Sequence, residues 1–287
     1  MGAPSVSVLM ASFNCERFIG TAIESVLAST FSDFEFIIVD DCSTDKTFSI
    51  INDFAGRDSR IRVFRNEKRL GDYPNRNKAA SFANGKYLKY VDHDDYIYPW
   101  GIALMVESME KFPDAGWGIC SLNADKDRPF PFRLDPPEIF EYQNFKASLF
   151  HNPPLCAIIK KQVFDAIGGF SGKPLMSDVE MWHLLSLKYS MVLMQHGLVW
   201  YRVHEGQESK RVQRDIALRT RYAVAKFHFY KSSRELPLGN KKRRVIIKRM
   251  HQTFLKYILI NICKGKIKSA YIILKMIPNH QFDFKEV

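Results

Sequence analysis

Tyr87-Leu88-Lys89-Tyr90-Val91-Asp92-His93-Asp94-Asp95 is the stretch on which the reading of this chain turns. Its first half is a short strand-like run, and its second half delivers three carboxylates into one turn. Three like charges so close together repel unless a cation neutralises them, and an all-oxygen donor set suits Mg²⁺ or Mn²⁺. An ion held there would offset the charge of a departing diphosphate. The competing reading is a polar loop whose aspartate caps a helix starting at Pro99.

Outward from this stretch, strand-like and helix-like segments alternate. Ser5–Met10 reads as a buried strand, and Glu16–Leu27 as a helix with Phe18, Ile19, Ile23, Val26 and Leu27 on its apolar side. The near-continuous apolar run from Phe34 to Val39 is that of a parallel strand covered on both faces. Thr44-Asp45-Lys46-Thr47 then opens a second helix with capping chemistry. A strand follows at Ile61–Phe64, a helix at Pro74–Ala83 and a strand at Lys86–Val91. This order predicts a doubly wound α/β sheet whose ligands bind beyond the carboxyl ends of its strands. Ser12–Asn14, Asp40-Asp41 and Asp92–Asp95 all follow strands. From 125 to 154 six prolines argue against long regular elements. Beyond them Leu155–Ile159 and Val192–Val203 read as strands. Ser177–Leu187, Gln213–Lys231 and Lys241–Met276 read as helices, the last with a break near Gly265.

Composition bounds the class. The 287 residues are 46% apolar and 25% charged, the balance of a folded globular chain. No apolar run reaches the roughly 20 residues of a spanning helix. The first residues carry neither a secretory signal nor, with Val6 in place of Ser or Thr, a myristoylation signal. Five scattered cysteines without a Cys-x-x-Cys pair argue against a disulfide framework or zinc site and point to a reducing, cytoplasmic setting. The net charge of +11 is concentrated: residues 241–287 hold twelve Lys and Arg against Asp283 and Glu286, a local +10. Such asymmetry implies an anionic partner.

Other carboxylates are ambiguous on residue type alone. Asp40-Asp41 suits either a ribose or base contact at a strand end or a turn ahead of Ser43. Asp178 and Glu180 lie two apart on a predicted helix and cannot face the same cleft; either is a general base or a favourable charge at a helix start. His93, between two carboxylates, alternates away from them, and His204 is either a late metal ligand or structural. Gly-x-Gly-x-x-Gly, phosphate-loop, His-Glu-x-x-His and Gly-x-Ser-x-Gly motifs are absent from the sequence.

Taken in order, the segments resemble the family 2 glycosyltransferases, inverting enzymes with the GT-A fold. Val6–Asn14 followed by Ala22–Leu27 is similar to the family's first strand and helix, and Phe34–Thr47 to its second strand and nucleotide-base loop. Arg76-Asn77 matches an Arg-Asn pair ahead of the metal strand. Tyr90–Asp95 matches a DXD-type motif, Gly168-Gly169-Phe170 the usual Gly-Gly-Phe, and Ser177-Asp178 the place of a Glu-Asp catalytic pair, with Ser where Glu is common. The resemblance covers about residues 5–209. It implies Asp41 and Arg76 at the nucleotide base, Ala11 and Phe13 near a uridine-type ring, Asp92 on the ribose or metal side, and Asp94 on the metal bridging the diphosphate. It further implies Asp178 as the base that deprotonates the acceptor hydroxyl, and gives His204 a place near the donor phosphates, as a second metal ligand.

The expectation is therefore a GT-A domain at 1–209 and a basic helical region at 210–287. It would use Mn²⁺ or Mg²⁺ and a UDP-type nucleotide-sugar donor to extend a glycan or lipid-linked acceptor in cell-surface polysaccharide or glycolipid synthesis. The rival is a non-catalytic sugar-nucleotide-binding scaffold, disfavoured by the complete Asp92, Asp94 and Asp178 set. Nucleic acid is not an expected partner, since the tail aromatics form no stacking pattern; a homo-oligomer is allowed. The stripe Ile246, Met250, Phe254 and Ile258 among lysines and arginines predicts a helix lying on the inner face of an anionic membrane. The alternative is that this stripe packs against the protein itself.

Overall fold

A computed structural model describes residues 2–122, 125–173, 176–205, 207 and 216–279. The chain separates into two compact units, one of residues 1–139 and 147–202, the other of residues 140–146 and 203–287.

The first unit is built on an eight-stranded sheet. Its strands are β1 (Val6–Ser12), β2 (Phe34–Asp40), β3 (Ile61–Arg65), β4 (Tyr87–Tyr90), β6 (Trp117–Leu122), β7 (Phe132–Leu134), β8 (Ala157–Lys160) and β9 (Met191–Gln195). Their order is β3-β2-β1-β4-β8-β6-β9-β7. The first four run parallel, while β8 enters antiparallel to both β4 and β6. All seven residues of β1 and of β2 are buried, because helices cover both faces. Those helices are α1 (Ile19–Leu27), α2 (Thr47–Ala55), α3 (Asp72–Ser81), α4 (Gly101–Glu110), α6 (Lys161–Ala166) and α7 (Ser177–Lys188). Strand order reverses between β1 and β4, and their carboxyl ends are where such a sheet opens a crevice for ligands. A separate antiparallel pair joins β5 (Tyr96–Ile97), which follows directly from the Asp92–Asp95 turn, to β10 (Val199–Trp200).

Two details differ from the sequence reading. The proline-rich stretch contains α5 (Pro136–Phe145), ten residues long. Its two prolines occupy the first helical positions, where a missing N–H costs nothing. The single strand expected at Val192–Val203 is broken at Gly197, whose φ of 81° turns β9 into β10.

The second unit holds the end of α5 with α8 (Ile216–Ser232), α9 (Asn240–Cys263) and α10 (Ile267–Asn279). Gln213–Asp215, expected in the helix now seen as α8, lie outside the described residues. The stripe expected to face a membrane is turned inward over most of its length. Ile246 and Phe254 are buried, and Phe254 and Met250 pack with Val224 and Phe227 of α8. No helix among the described residues is long and apolar enough to cross a membrane.

Candidate active site

The loops leaving β1 and β2 are joined by hydrogen bonds from backbone to side chain. Asn14 N–H donates to Ser43 Oγ at 3.0 Å, Thr44 N–H to Asn14 Oδ1 at 2.8 Å, and Cys15 N–H to Thr47 Oγ1 at 2.8 Å. Asn14 and Cys42 take left-handed backbone, with φ of 44° and 62°. Non-glycine residues are rarely held this way, and those that are gather at functional sites.

Asp41 is buried at the end of β2 and accepts three hydrogen bonds: from Asn66 Nδ2 at 2.7 Å, Leu70 N–H at 2.8 Å and Gly71 N–H at 2.8 Å. It anchors the loop that leads into α3. A carboxylate has about four acceptor positions, so roughly one is left for a ligand donor. Asp40 has a different task, accepting from Ser43 N–H at 3.1 Å and pairing with Arg65 at 3.2 Å. Phe13 is half-buried, with the Arg69 guanidinium 3.8 Å above its ring centroid. The carbonyl of Ala11 is taken by His93 Nδ1 at 2.9 Å, so His93 ties the acidic turn to β1.

Within that turn the three carboxylates have three environments. Asp92 Oδ1 lies 2.5 Å from Arg76 Nη1, and Arg76 Nε lies 2.8 Å from Asp72. Burial alone would raise the Asp92 pKa, but Arg76 holds it below the usual carboxylate range. Burial likewise opposes the Arg76 charge, and Asp72 and Asp92 outweigh it. Asp95 is fully buried: one oxygen accepts the Arg202 N–H at 2.8 Å, and Oδ2 has no hydrogen-bond partner. Burial, then Asp92 and Asp94, push its pKa up to about 9. Asp94 stands between them, half-buried, and its carbonyl accepts from Arg202 Nε at 2.7 Å.

Among the described residues no three His, Cys, Asp or Glu side chains converge as a ready-made metal cage. Mg²⁺ or Mn²⁺ in a phosphate-handling site needs only one or two carboxylates, with diphosphate and water supplying the rest, and half-buried Asp94 is a carboxylate of that kind. Burial first, and the neighbouring carboxylates second, keep Asp95 protonated, which leaves Asp94 as the half-buried carboxylate of the turn able to meet an ion.

Asp178 opens α7. Its Oδ1 accepts the Val179 N–H at 2.7 Å, and the Tyr73 hydroxyl hydrogen-bonds it. Burial pushes its pKa up to about 6, with Val179, Tyr73 and the charge of Arg76 pulling the other way. Arg76 is thus the group whose field reaches both the acidic turn and Asp178. Glu180 is directed elsewhere, 3.4 Å from Lys173 Nζ. Ser177, where the resemblance wants Glu, is buried and donates to the Lys173 carbonyl at 2.8 Å. His204 belongs to the second unit, where its backbone N–H donates to Gln207 Oε1 at 3.2 Å.

Sequence reasoning gave Asn77 no role at this site and passed over Tyr73. Asn77 grips the backbone of Phe170 from both sides, donating to its carbonyl at 2.7 Å and accepting its N–H at 2.9 Å. Gly169 is left-handed with φ 70°, and a Cβ there would meet Asn77 Oδ1 at 2.7 Å. The Phe170 ring so placed lies 5.1 Å from Tyr73, which in turn supports Asp178. The adjacency of Arg76 and Asn77 was the available signal for Asn77; nothing in residue pattern marks Tyr73.

Residues 7–168 match the profile of glycosyl transferase family 2. The chain is 39% identical over 105 residues to the UDP-Glc:alpha-D-GlcNAc-diphosphoundecaprenol beta-1,3-glucosyltransferase WfaP of Escherichia coli, an alignment covering 37% of this chain and 41% of that protein. It thus spans about two-fifths of the length of relatives at that identity. Its backbone is similar to that of S. aureus TarS solved with UDP-GlcNAc, with a TM-score of 0.66 at 17% identity over 96% of this chain and 82% of that one. It is also similar to the mannosyltransferase PcManGT of Pyrobaculum calidifontis solved with GDP-Man and Mn²⁺, with a TM-score of 0.62 at 13% identity over 96% and 86% of the two chains. The chain belongs to glycosyl transferase family 2, and its α/β unit has the GT-A fold. The profile match ends at Gly168, ahead of Asp178.

Proposed function

We propose that this protein transfers a sugar from a nucleotide-diphosphate donor to an acceptor hydroxyl with inversion, in the synthesis of a cell-surface polysaccharide or glycolipid. The observation that carries the proposal is the reach of Arg76: paired with Asp92 of the acidic turn, it also bears on Asp178. An inverting displacement needs a base for the acceptor hydroxyl and neutralisation of the departing diphosphate, and Asp178 and the acidic turn are the candidates for the two tasks.

The residues divide the work. Asp41 and the loop it anchors receive the nucleotide base, with Phe13 and Ala11 at the ring and Arg76 fixing Asp92 on the ribose side. Asp94 would hold Mn²⁺ or Mg²⁺, and such an ion would supply charge that offsets the leaving diphosphate. The further ligand role proposed for His204 rests on the resemblance alone. Asp178 accepts the proton of the acceptor hydroxyl as its oxygen attacks the anomeric carbon, while the glycosidic bond to the diphosphate breaks. A carboxyl with pKa about 6 is ionised at neutral pH yet more basic than an exposed aspartate, the compromise general-base catalysis favours. A UDP-type donor is the reading favoured by the TarS complex with UDP-GlcNAc, and Mn²⁺ by the PcManGT complex. A lipid-linked acceptor at the inner face of a membrane is favoured by the likeness to WfaP and by the basic second unit.

Replacing the base tests this directly. Asp178→Asn is expected to lower turnover by roughly two to four powers of ten while leaving nucleotide affinity in place, and Glu180→Gln to change turnover far less. The opposite ranking in a steady-state assay of nucleotide release would assign the base to the wrong carboxylate.

A further inference from the structure

Helix α9 is apolar on two sides. Met250 and Phe254 face the interior of the second unit. At about 100° per residue, Leu259 stands opposite Met250 on the same helix. That outer side carries Leu255, Leu259 and Ile262, and α10 repeats the pattern with Ile267, Tyr271 and Leu274. These six side chains are 47–60% exposed, while Ala270 and Ile273 of α10 are buried. Ten of the fifteen large apolar residues exposed among those described lie between Val245 and Leu274. On each helix three of the six fall at i, i+4 and i+7 and so share one side, and exposed apolar residues gathered on one side rather than scattered mark an interaction surface.

Charge identifies the occupant. Residues 240–279 contain eleven Lys and Arg and no Asp or Glu. Leu255, Leu259 and Ile260 line a shallow groove together with Lys256 and Lys264, and Lys275 lies over the Tyr271 ring at 5.5 Å. A second copy of the same face would bring these cations against one another. An anionic lipid surface satisfies both features, taking the apolar side chains at the acyl boundary and the ammonium groups at the phosphates. Neither helix is both long and apolar enough to cross a bilayer.

We infer that α9 and α10 bind an anionic membrane through the outer face centred on Leu259, Ile262 and Tyr271, not through the buried Ile246–Phe254 stripe. The inference deepens the reading of a lipid-linked acceptor, because a membrane-bound enzyme meets such an acceptor at raised local concentration. Each basic residue at the headgroups strengthens binding about fivefold, an effect that salt screens.

The test is co-sedimentation of the full chain with phosphatidylcholine vesicles with and without phosphatidylglycerol, followed by size-exclusion light scattering without lipid. Binding is expected only with phosphatidylglycerol, to weaken with salt, and to fall at least tenfold in Leu259→Glu and in Lys256→Glu/Lys264→Glu. These positions are exposed, so the variants keep the fold, checked by an unchanged melting temperature. Ile246→Val is expected to leave vesicle binding unchanged. Equal binding to neutral vesicles, no binding at low salt, or a lipid-free dimer that Leu259→Glu dissociates would each overturn the inference. Nucleotide release from a donor sugar, measured without vesicles, separates the two readings. If wild type releases nucleotide but does not bind phosphatidylglycerol vesicles at low salt, the membrane face is wrong and the catalytic reading stands. If it releases none while vesicle binding holds, the reverse is true.

Discussion

The carboxyl of Asp178 titrates near pH 6 because burial outweighs the Val179 N–H, the Tyr73 hydroxyl and the Arg76 charge. A base must be ionised to act, so turnover is expected to rise with pH through about 6 and level off above it. A pH profile flat from 5 to 7, in a buffer series about that value, would remove Asp178 from the role. The same shift has a consequence for stability. A carboxyl whose folded pKa lies above its unfolded value favours the folded state only while protonated, and that contribution is lost as pH rises from 3.8 through about 6. At neutral pH Asp178 therefore destabilises the fold, and Asp178→Asn is expected to stabilise it by on the order of 1–3 kcal/mol at pH 7 and by much less at pH 4. Urea unfolding at the two pH values checks the sign; equal effects at both would show that the carboxyl is not buried. An inactive, more stable variant is the signature of a residue kept for chemistry.

At the scale of the element, the glycine pair and Asn77 form one device. Phe170 is placed by two hydrogen bonds to a single amide, and Gly169 makes room for that amide. Gly169→Ala combines a left-handed alanine with a clash against Asn77 Oδ1, and is expected to cost about 1–3 kcal/mol. An unchanged urea midpoint would show that the loop relaxes freely. The glycines and Asn77 are separated by some ninety positions, which is why the family resemblance gave the motifs but not their contact. Strands β1, β2 and β4 were legible because two-sided burial forces apolar runs, and the acidic turn because like charges in one loop demand an explanation. Helix α5 was not, since prolines at a helix start and prolines that break a helix look alike in composition. The membrane stripe misled for a related reason: α9 carries apolar residues on both sides, and periodicity alone does not say which side the protein keeps for itself.

At the scale of the whole molecule, a GT-A unit and a carboxylate-poor helical unit are joined in one chain. The acidic turn lies at the sheet's switch point, where Asp94 is flanked by an Asp92 committed to Arg76 and a buried Asp95 held by Arg202. We propose that this turn holds a divalent ion that activates a nucleotide sugar. Release of nucleoside diphosphate from a panel of UDP- and GDP-sugars, with Mn²⁺ or with excess chelator, measures it most directly. Wild type is expected to release nucleotide from at least one donor with Mn²⁺ and to lose that activity in chelator. Asp94→Ala should lose both turnover and the gain in nucleotide affinity that Mn²⁺ confers. Full activity in chelator, or in Asp94→Ala, would contradict the account.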